Sequence, residues 1–183
     1  LLGLARQEAG LLLLRRAPTR MQDIVDRIIE RLSPEAILSV AIPADLPSVD
    51  MDSARIEVVL SNLVANALLY GGNQVCIAAE RRNGCIVVSV ADNGPGIADD
   101  ELPHVFERFY RARQSRQQHS GGTGLGLTIS KAFIEAHEGR IWVESGPQGT
   151  KISFSLPLTA SIATIEPGEM VALSSSQERR RSL

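Results

Sequence analysis

Ser120-Gly121-Gly122-Thr123-Gly124-Leu125-Gly126-Leu127-Thr128-Ile129 puts four glycines within six residues and runs unbroken into the helix-compatible segment Thr128–Ala136. Glycine lets backbone approach a ligand closely and take positive φ. A helix that starts directly after such a loop offers unpaired N–H groups and a favourable dipole to an anion, with phosphate the natural candidate. The dinucleotide fingerprint G-x-G-x-x-G does not fit, because no strand leads directly into these glycines. Walker A nearly fits from Gly121 to Thr128, but Leu127 stands where the phosphate-binding lysine belongs. A surface loop before an ordinary helix is the plainer reading of this stretch taken alone.

The bulk numbers frame that choice. A chain of 183 residues has room for one domain with a full core plus short flanking pieces. Hydrophobic content of 44% and a net charge of −2 describe an ordinary soluble protein and give no general signal for nucleic acid or a membrane surface. Aromatics make up 4%, too few for single-strand stacking platforms. Apolar runs such as Leu11–Leu14 are far too short to span a bilayer. Two cysteines without metal-ligand spacing suit a reducing compartment, so the expected location is cytoplasmic, with attachment to a membrane-anchored sensor left open.

Outward from the glycines, the strongest helix is Asp52–Tyr70, where Ile56, Val59, Leu60, Leu63 and Ala67 form an apolar stripe and Gly71-Gly72 ends it. Met21–Leu32 is a second amphipathic helix, its apolar positions Met21, Ile24, Val25, Ile28, Ile29 and Leu32 opposed by a charged face. Ala36–Ile42 reads as a strand. Gln74–Arg81 and Cys85–Ala91 alternate around Asn83-Gly84, a strong hairpin signal. That turn pairs Arg82 with Cys85 and leaves Cys76 several pairs away, which argues against a disulfide. Arg140–Ser145 and Thr150–Leu156 read as the last strands. Residues 1–14 look like the end of a longer helix, 15–158 form the domain, and 159–183 read as a disordered tail from their small, polar composition.

Three further stretches carry chemistry. Asn62 and Asn66 share a face of the Asp52–Tyr70 helix although asparagine is a poor helix-interior residue, and an amide oxygen is a hard, neutral ligand suited to Mg²⁺. Solvated surface amides would explain them as well. Asp92-Asn93-Gly94-Pro95-Gly96-Ile97 follows an apolar strand, so its carboxylate can accept from an exocyclic amino group while a ring lies over bare backbone; a plain turn is the alternative. Arg108, Arg111, Arg113 and Arg116 occupy a long loop together with Phe106 and Phe109, and guanidinium groups suit triphosphate oxygens.

The order of these pieces resembles the catalytic and ATP-binding domain of sensor histidine kinases, within the wider gyrase, Hsp90 and MutL-like ATPases of the GHKL or Bergerat fold. The matching stretches are SNLVANALLY, DNGPGI, VFERFYRAR, GGTGLGL and GPQGTKISFSLP, and the likeness extends over about residues 1–158. It implies an α/β two-layer sandwich, with helices on one face of a mixed, mostly antiparallel sheet and a mobile ATP lid at 98–121. By position, Asn66 would hold Mg²⁺ with Asn62 supporting the phosphates. Asp92 would bind the adenine amino group, Gly94, Gly96 and Ile97 would shape the base pocket, and Tyr70 and Thr150 would flank it. Phe106 and Phe109 would anchor the lid, and Arg108 or Arg111 would reach the phosphates. Gly122, Thr123, Gly124, Leu125, Gly126 and Leu127 would hinge the lid and bring N–H groups to the phosphates. Residues 1–14 would end the second helix of a dimerisation and phosphoacceptor hairpin.

Two departures stand out. Relatives of this kind usually carry Lys or Arg just before the tyrosine of the first motif, where this chain has Leu69. No phosphoacceptor histidine is recognisable either: His104, His119 and His137 read as surface histidines. The resemblance therefore implies the kinase half of a homodimeric sensor, whose partners would be ATP, its own dimerisation domain and a downstream response regulator. An ATP-hydrolysing relative is disfavoured because the position of the water-activating glutamate is Asn62, which cannot take a proton near neutral pH. A non-catalytic nucleotide-binding signalling module, favoured by Leu69, is the remaining alternative.

Overall fold

Asn83 and Gly84 adopt left-handed φ values of 50° and 75°, the geometry that a two-residue hairpin turn requires, and Arg82 faces Cys85 across it as the sequence predicts. The strands they join, β4 (Val75–Arg82) and β5 (Cys85–Asp92), form the middle of the sheet in a computed structural model that describes residues 13–32, 38–72, 74–113 and 123–158. The expected helix in residues 1–14, the loop residues 114–121 with His119, Gly122, and the tail 159–183 lie wholly or mostly outside the described residues. Cys76 and Cys85 are both free thiols.

Strand β2 (Leu38–Ala41) pairs with β4 in parallel, and the long strand β7 (Gly149–Pro157) lies antiparallel between β5 and β6 (Arg140–Gly146). The order is β2-β4-β5-β7-β6, a mixed and mostly antiparallel sheet. Alternation selects its buried face: Val75, Ile77 and Ala79 of β4, Ile86, Val88 and Val90 of β5, and Ile152, Phe154 and Leu156 of β7.

Helices α1 (Met21–Ile29), α2 (Ser53–Tyr70) and α3 (Gly126–Ala136) complete the sandwich. All five residues of the α2 stripe are buried, joined by Val64. Each such side chain contributes roughly 1.5–3 kcal/mol on leaving water. Asp52 caps α2 by accepting from the Arg55 N–H at 3.2 Å. Helix α1 stops at Ile29, three residues short of expectation; Ile29 is part-exposed, and Leu32 follows in a turn that still packs on the core. Helix α3 begins two residues before the expected Thr128, at Gly126. Arg27 and Arg31 both bind Glu57, tying α1 to α2; hydrogen bonds, Arg27's first, outweigh burial and hold the Glu57 carboxyl below its usual pKa.

The sequence does not foretell the ribbon of β1 (Ala17–Thr19) and β3 (Val49–Met51), which pair antiparallel. Both are three residues long, and Pro18 cannot donate to a ladder, so neither carries a strand signal. This ribbon leads the chain to one end of the helix pair. There the Arg15 N–H donates to Asp52 Oδ2 at 2.9 Å, and Arg16 donates to Ala136 O and Glu138 Oε1, both at 3.0 Å.

His137 is 2% exposed at that junction, which corrects its reading as a surface histidine. Its Nε2 accepts the Asp52 N–H at 3.0 Å, so Nδ1 carries the proton and donates to Phe133 O at 2.7 Å. Burial lowers its pKa and keeps the ring neutral. His104 is at the surface, paired with Glu107.

Candidate functional site

A cavity of about 800 Å³ opens between α2, the N-terminus of α3, the ends of β5 and β7, and residues 95–113. Its deep end is built on Asp92, the last residue of β5. One carboxylate oxygen, Oδ1, accepts the Gly94 N–H at 2.9 Å and the Thr150 N–H at 3.3 Å, locking the side chain to two loops. A Cβ on Gly94 would stand 2.7 Å from Gly71 Cα, so only glycine fits between α2 and this carboxylate. Gly96 has φ +80°, and a Cβ there would meet Gly146 O at 2.1 Å, so it too must be bare. Asp92, Gly96, Ile97 and Thr150 line this end of the cavity, with Gly94 outside the lining but bonded to the carboxylate, and the set is fit for a planar ring bearing an amino group.

Ser145 completes the slot and carries no signal in the sequence. Its Oγ accepts the Ile97 N–H at 2.8 Å and lies 2.9 Å from Thr150 Oγ1, joining β6, β7 and the Asp92 loop. A serine in a strand is unremarkable until its non-local partners are known.

On the helix side, Asn66 and Tyr70 of α2 line the cavity. Asn62 does not. Its Nδ2 is turned to α3 and donates to Gly126 O at 3.2 Å and Ser130 Oγ at 3.3 Å. Thr123, Gly124, Gly126 and Leu127 line the opposite wall, while Leu125 stands off it as the residue preceding α3. No side chain caps α3, so the N–H groups of its first turn remain available to an anion.

Among its described residues, the segment expected to form a lid holds a 3₁₀ turn, Leu102–His104, and a tie that the sequence does not announce. Glu101 is 6% exposed and accepts the Arg113 N–H at 2.8 Å and the Tyr110 hydroxyl at 3.3 Å, while the Arg113 guanidinium binds Asp100. Arg111 and Arg113 line the cavity; Arg108 is exposed and does not. The two phenylalanines separate. Phe106 packs on the core and its carbonyl accepts the Thr128 hydroxyl at 3.1 Å. Phe109 is 71% exposed, with φ +63° turning its ring away; only its N–H engages the glycine loop, donating to Gly124 O at 3.0 Å. The expected anchoring by the Phe109 ring is therefore made by its backbone.

The donor set suits a magnesium nucleotide. Among the described residues no group of three His, Cys, Asp or Glu could hold a metal ion. A metal here would rest on the Asn66 amide, phosphate oxygens and water, a set that Mg²⁺ favours and most transition metals do not. No helix among the described residues is long and apolar enough to cross a membrane.

Residues 51–160 match the sequence profile described as histidine kinase-, DNA gyrase B- and HSP90-like ATPase. The signal transduction histidine-protein kinase AfsQ2 of Streptomyces coelicolor is 44% identical over 119 residues, 64% of this chain and 22% of AfsQ2. Full-length ShkA, solved in complex with AMPPNP, superposes with a TM-score of 0.73 at 29% identity, covering 88% of this chain and 35% of ShkA. The mycobacterial sensor histidine kinase MprB superposes with a TM-score of 0.69 at 29% identity, covering 77% and 97% of the two chains. The chain spans from 19% to 43% of the length of such curated relatives.

Proposed function

Because the chain belongs to the histidine kinase-, DNA gyrase B- and HSP90-like ATPase family, we propose that it is the ATP-binding kinase domain of a two-component sensor, passing the γ-phosphate of Mg-ATP to a histidine on a separate dimerisation domain. The observation that carries this reading is the Asp92 carboxylate, fixed by the Gly94 and Thr150 N–H groups at the end of a cavity whose other wall is the uncapped N-terminus of α3. A ring slot and an anion site on two walls of one cavity together suit a nucleoside triphosphate.

Asp92 accepts the exocyclic amino group of adenine, and the ring lies along Gly96, Ile97 and Thr150. Asn66 would hold Mg²⁺, whose charge offsets the phosphates. The first-turn N–H groups of α3 and the guanidinium of Arg111 orient the phosphates. Phosphoryl transfer depends mainly on such positioning and charge neutralisation. The imidazole nucleophile comes from the sensor's own dimerisation domain, and the phosphoryl group passes on to a response regulator.

Asn62 argues against hydrolysis, because its amide cannot act as a base toward water and its NH₂ group is committed to α3. Leu69 favours a second reading, a nucleotide-binding signalling module without transfer: its side chain is 50% exposed and supplies no cation. The deciding experiment incubates the domain with γ-labelled ATP, Mg²⁺ and the histidine-bearing hairpin of its parent protein. Acid-labile label on the hairpin that vanishes with Asn66→Ala is the expected result. ATP binding without transfer, in both separate and covalently joined forms, would leave the signalling module in its place.

A further inference from the structure

The hydrogen bonds between α2 and α3 close into a ring that the nucleotide reading does not use. Ser130 is fully buried on α3, and its Oγ donates to Gly126 O one turn earlier, at 2.9 Å. That bond uses its single proton, so toward Asn62 it can only accept. Asn62 Nδ2 meets both Ser130 Oγ, at 3.3 Å, and Gly126 O, at 3.2 Å. Both acceptors demand the NH₂ end of the amide, which fixes which way round the Asn62 side chain sits. Among the described residues the Asn62 side chain makes these two hydrogen bonds, both through Nδ2.

We propose that Ser130 is a positioning residue: through Asn62 it sets the separation between the Asn66-bearing helix and the phosphate-facing first turn of α3. The inference rests on the reading of the cavity as a nucleotide site. Three observations converge on it. Gly126, whose carbonyl the ring holds, itself lines the cavity. Asn62 lies one turn before Asn66 on the same helix face, so the clamp and the proposed Mg²⁺ ligand move as one body. A mid-helix serine bonding back to the preceding turn adds nothing to helix stability, so its worth lies in what it presents to α2.

The test titrates AMPPNP into the whole chain at a series of Mg²⁺ concentrations, for the wild type, Ser130→Ala and Ser130→Cys, alongside the Asn62 side-chain amide signals in nitrogen-15 NMR. Alanine keeps the packing and loses the hydroxyl, and cysteine keeps the size with a far weaker donor, so either variant carries the test if the other misfolds. Disturbing groups that orient a metal ligand costs roughly tenfold or more in metal affinity. The expected result is therefore a rise of about tenfold in half-saturating Mg²⁺, with the Asn62 NH₂ pair shifted and its solvent exchange faster. Variants that match the wild type in Mg²⁺ midpoint, whether or not they melt earlier, would show a serine that only packs and would overturn the proposal. A wild type that binds no AMPPNP would overturn the nucleotide reading and this inference with it, an outcome distinguishable because it needs no variant.

Discussion

Asp52 and His137 stand 85 residues apart, yet the Asp52 N–H donates to His137 Nε2 at 3.0 Å and joins the start of α2 to the end of α3. With the Asn62 ring farther along, the two helices are fastened at two points. The His137 contact exists only while the ring is neutral, because a doubly protonated imidazole has no lone pair to offer.

Stability is therefore expected to fall as pH drops below about 6.5, the ordinary histidine value. Burial lowers the folded-state pKa, so between those two values the unfolded chain takes up a proton that the folded chain refuses. The groups acting on the ring are the Phe133 carbonyl, Arg16 and Asp52; the Arg15 and Arg55 N–H groups bind Asp52, and Glu138 pairs with Arg16. Asp52 is itself buried, but N–H groups of Arg15 and Arg55 and nearby positive charge hold its pKa below 3.8. Glu57 is held below 4.5. Their contributions are present above those ordinary values and are lost as pH falls through the lowered ones, which leaves the range just below pH 6.5 to His137 among these three groups. Urea melts at pH 7.5 and 5.5 check this; His137→Ala should cost roughly 2–4 kcal/mol at the higher pH and flatten the dependence.

Asp92→Ala should weaken ATP binding by about 2–3 kcal/mol, the worth of a hydrogen bond to a charged group, as measured by calorimetry. It should also erase any preference for ATP over GTP. A variant that keeps the preference would place base recognition elsewhere.

Leu69→Lys should leave the unfolding free energy within about 0.5 kcal/mol of wild type, since the residue is half exposed. Its effect should appear as tighter binding of ATP relative to ADP, because only the former presents a terminal phosphate. Equal gains for both nucleotides would mean a general charge effect.

Glu101→Ala removes the shared acceptor of Tyr110 and Arg113. Residues 105–113 should then exchange amide hydrogen faster and be cut sooner by trypsin at Arg108 and Arg111, while the global melt moves by roughly 1–3 kcal/mol. Unchanged exchange would show that the contacts of Phe106, Phe109 and Asp100 suffice to hold the segment.

The sequence spoke where local rules decide. Asn83-Gly84 demanded its turn, and the Ile56–Ala67 periodicity demanded a helix with one buried face. Asp92, Asn66 and the glycines 94, 96, 124 and 126 were legible as a set because their spacing matches a familiar order. What stayed hidden depends on contacts distant along the chain. Glu101 and Ser130 look like any polar residue in a loop or helix until Arg113 and Asn62 are seen beside them. His137 looked like a surface histidine because nothing near it in sequence announces Asp52. The β1–β3 ribbon hid for the same reason, since each strand is too short to show a pattern without its partner.

The position of β7 has a consequence for biosynthesis. It is made after every other strand of the described residues, yet it is wedged between β5 and β6 and brings Thr150 and Ile152 to the cavity wall. A nascent chain that has emerged only as far as β6 carries the helices and the hairpin but has an open seam where β6 should dock. A chain lacking residues 149–157 would lose Thr150 and Ile152 from the cavity wall together with the pairing that holds β6 in the sheet.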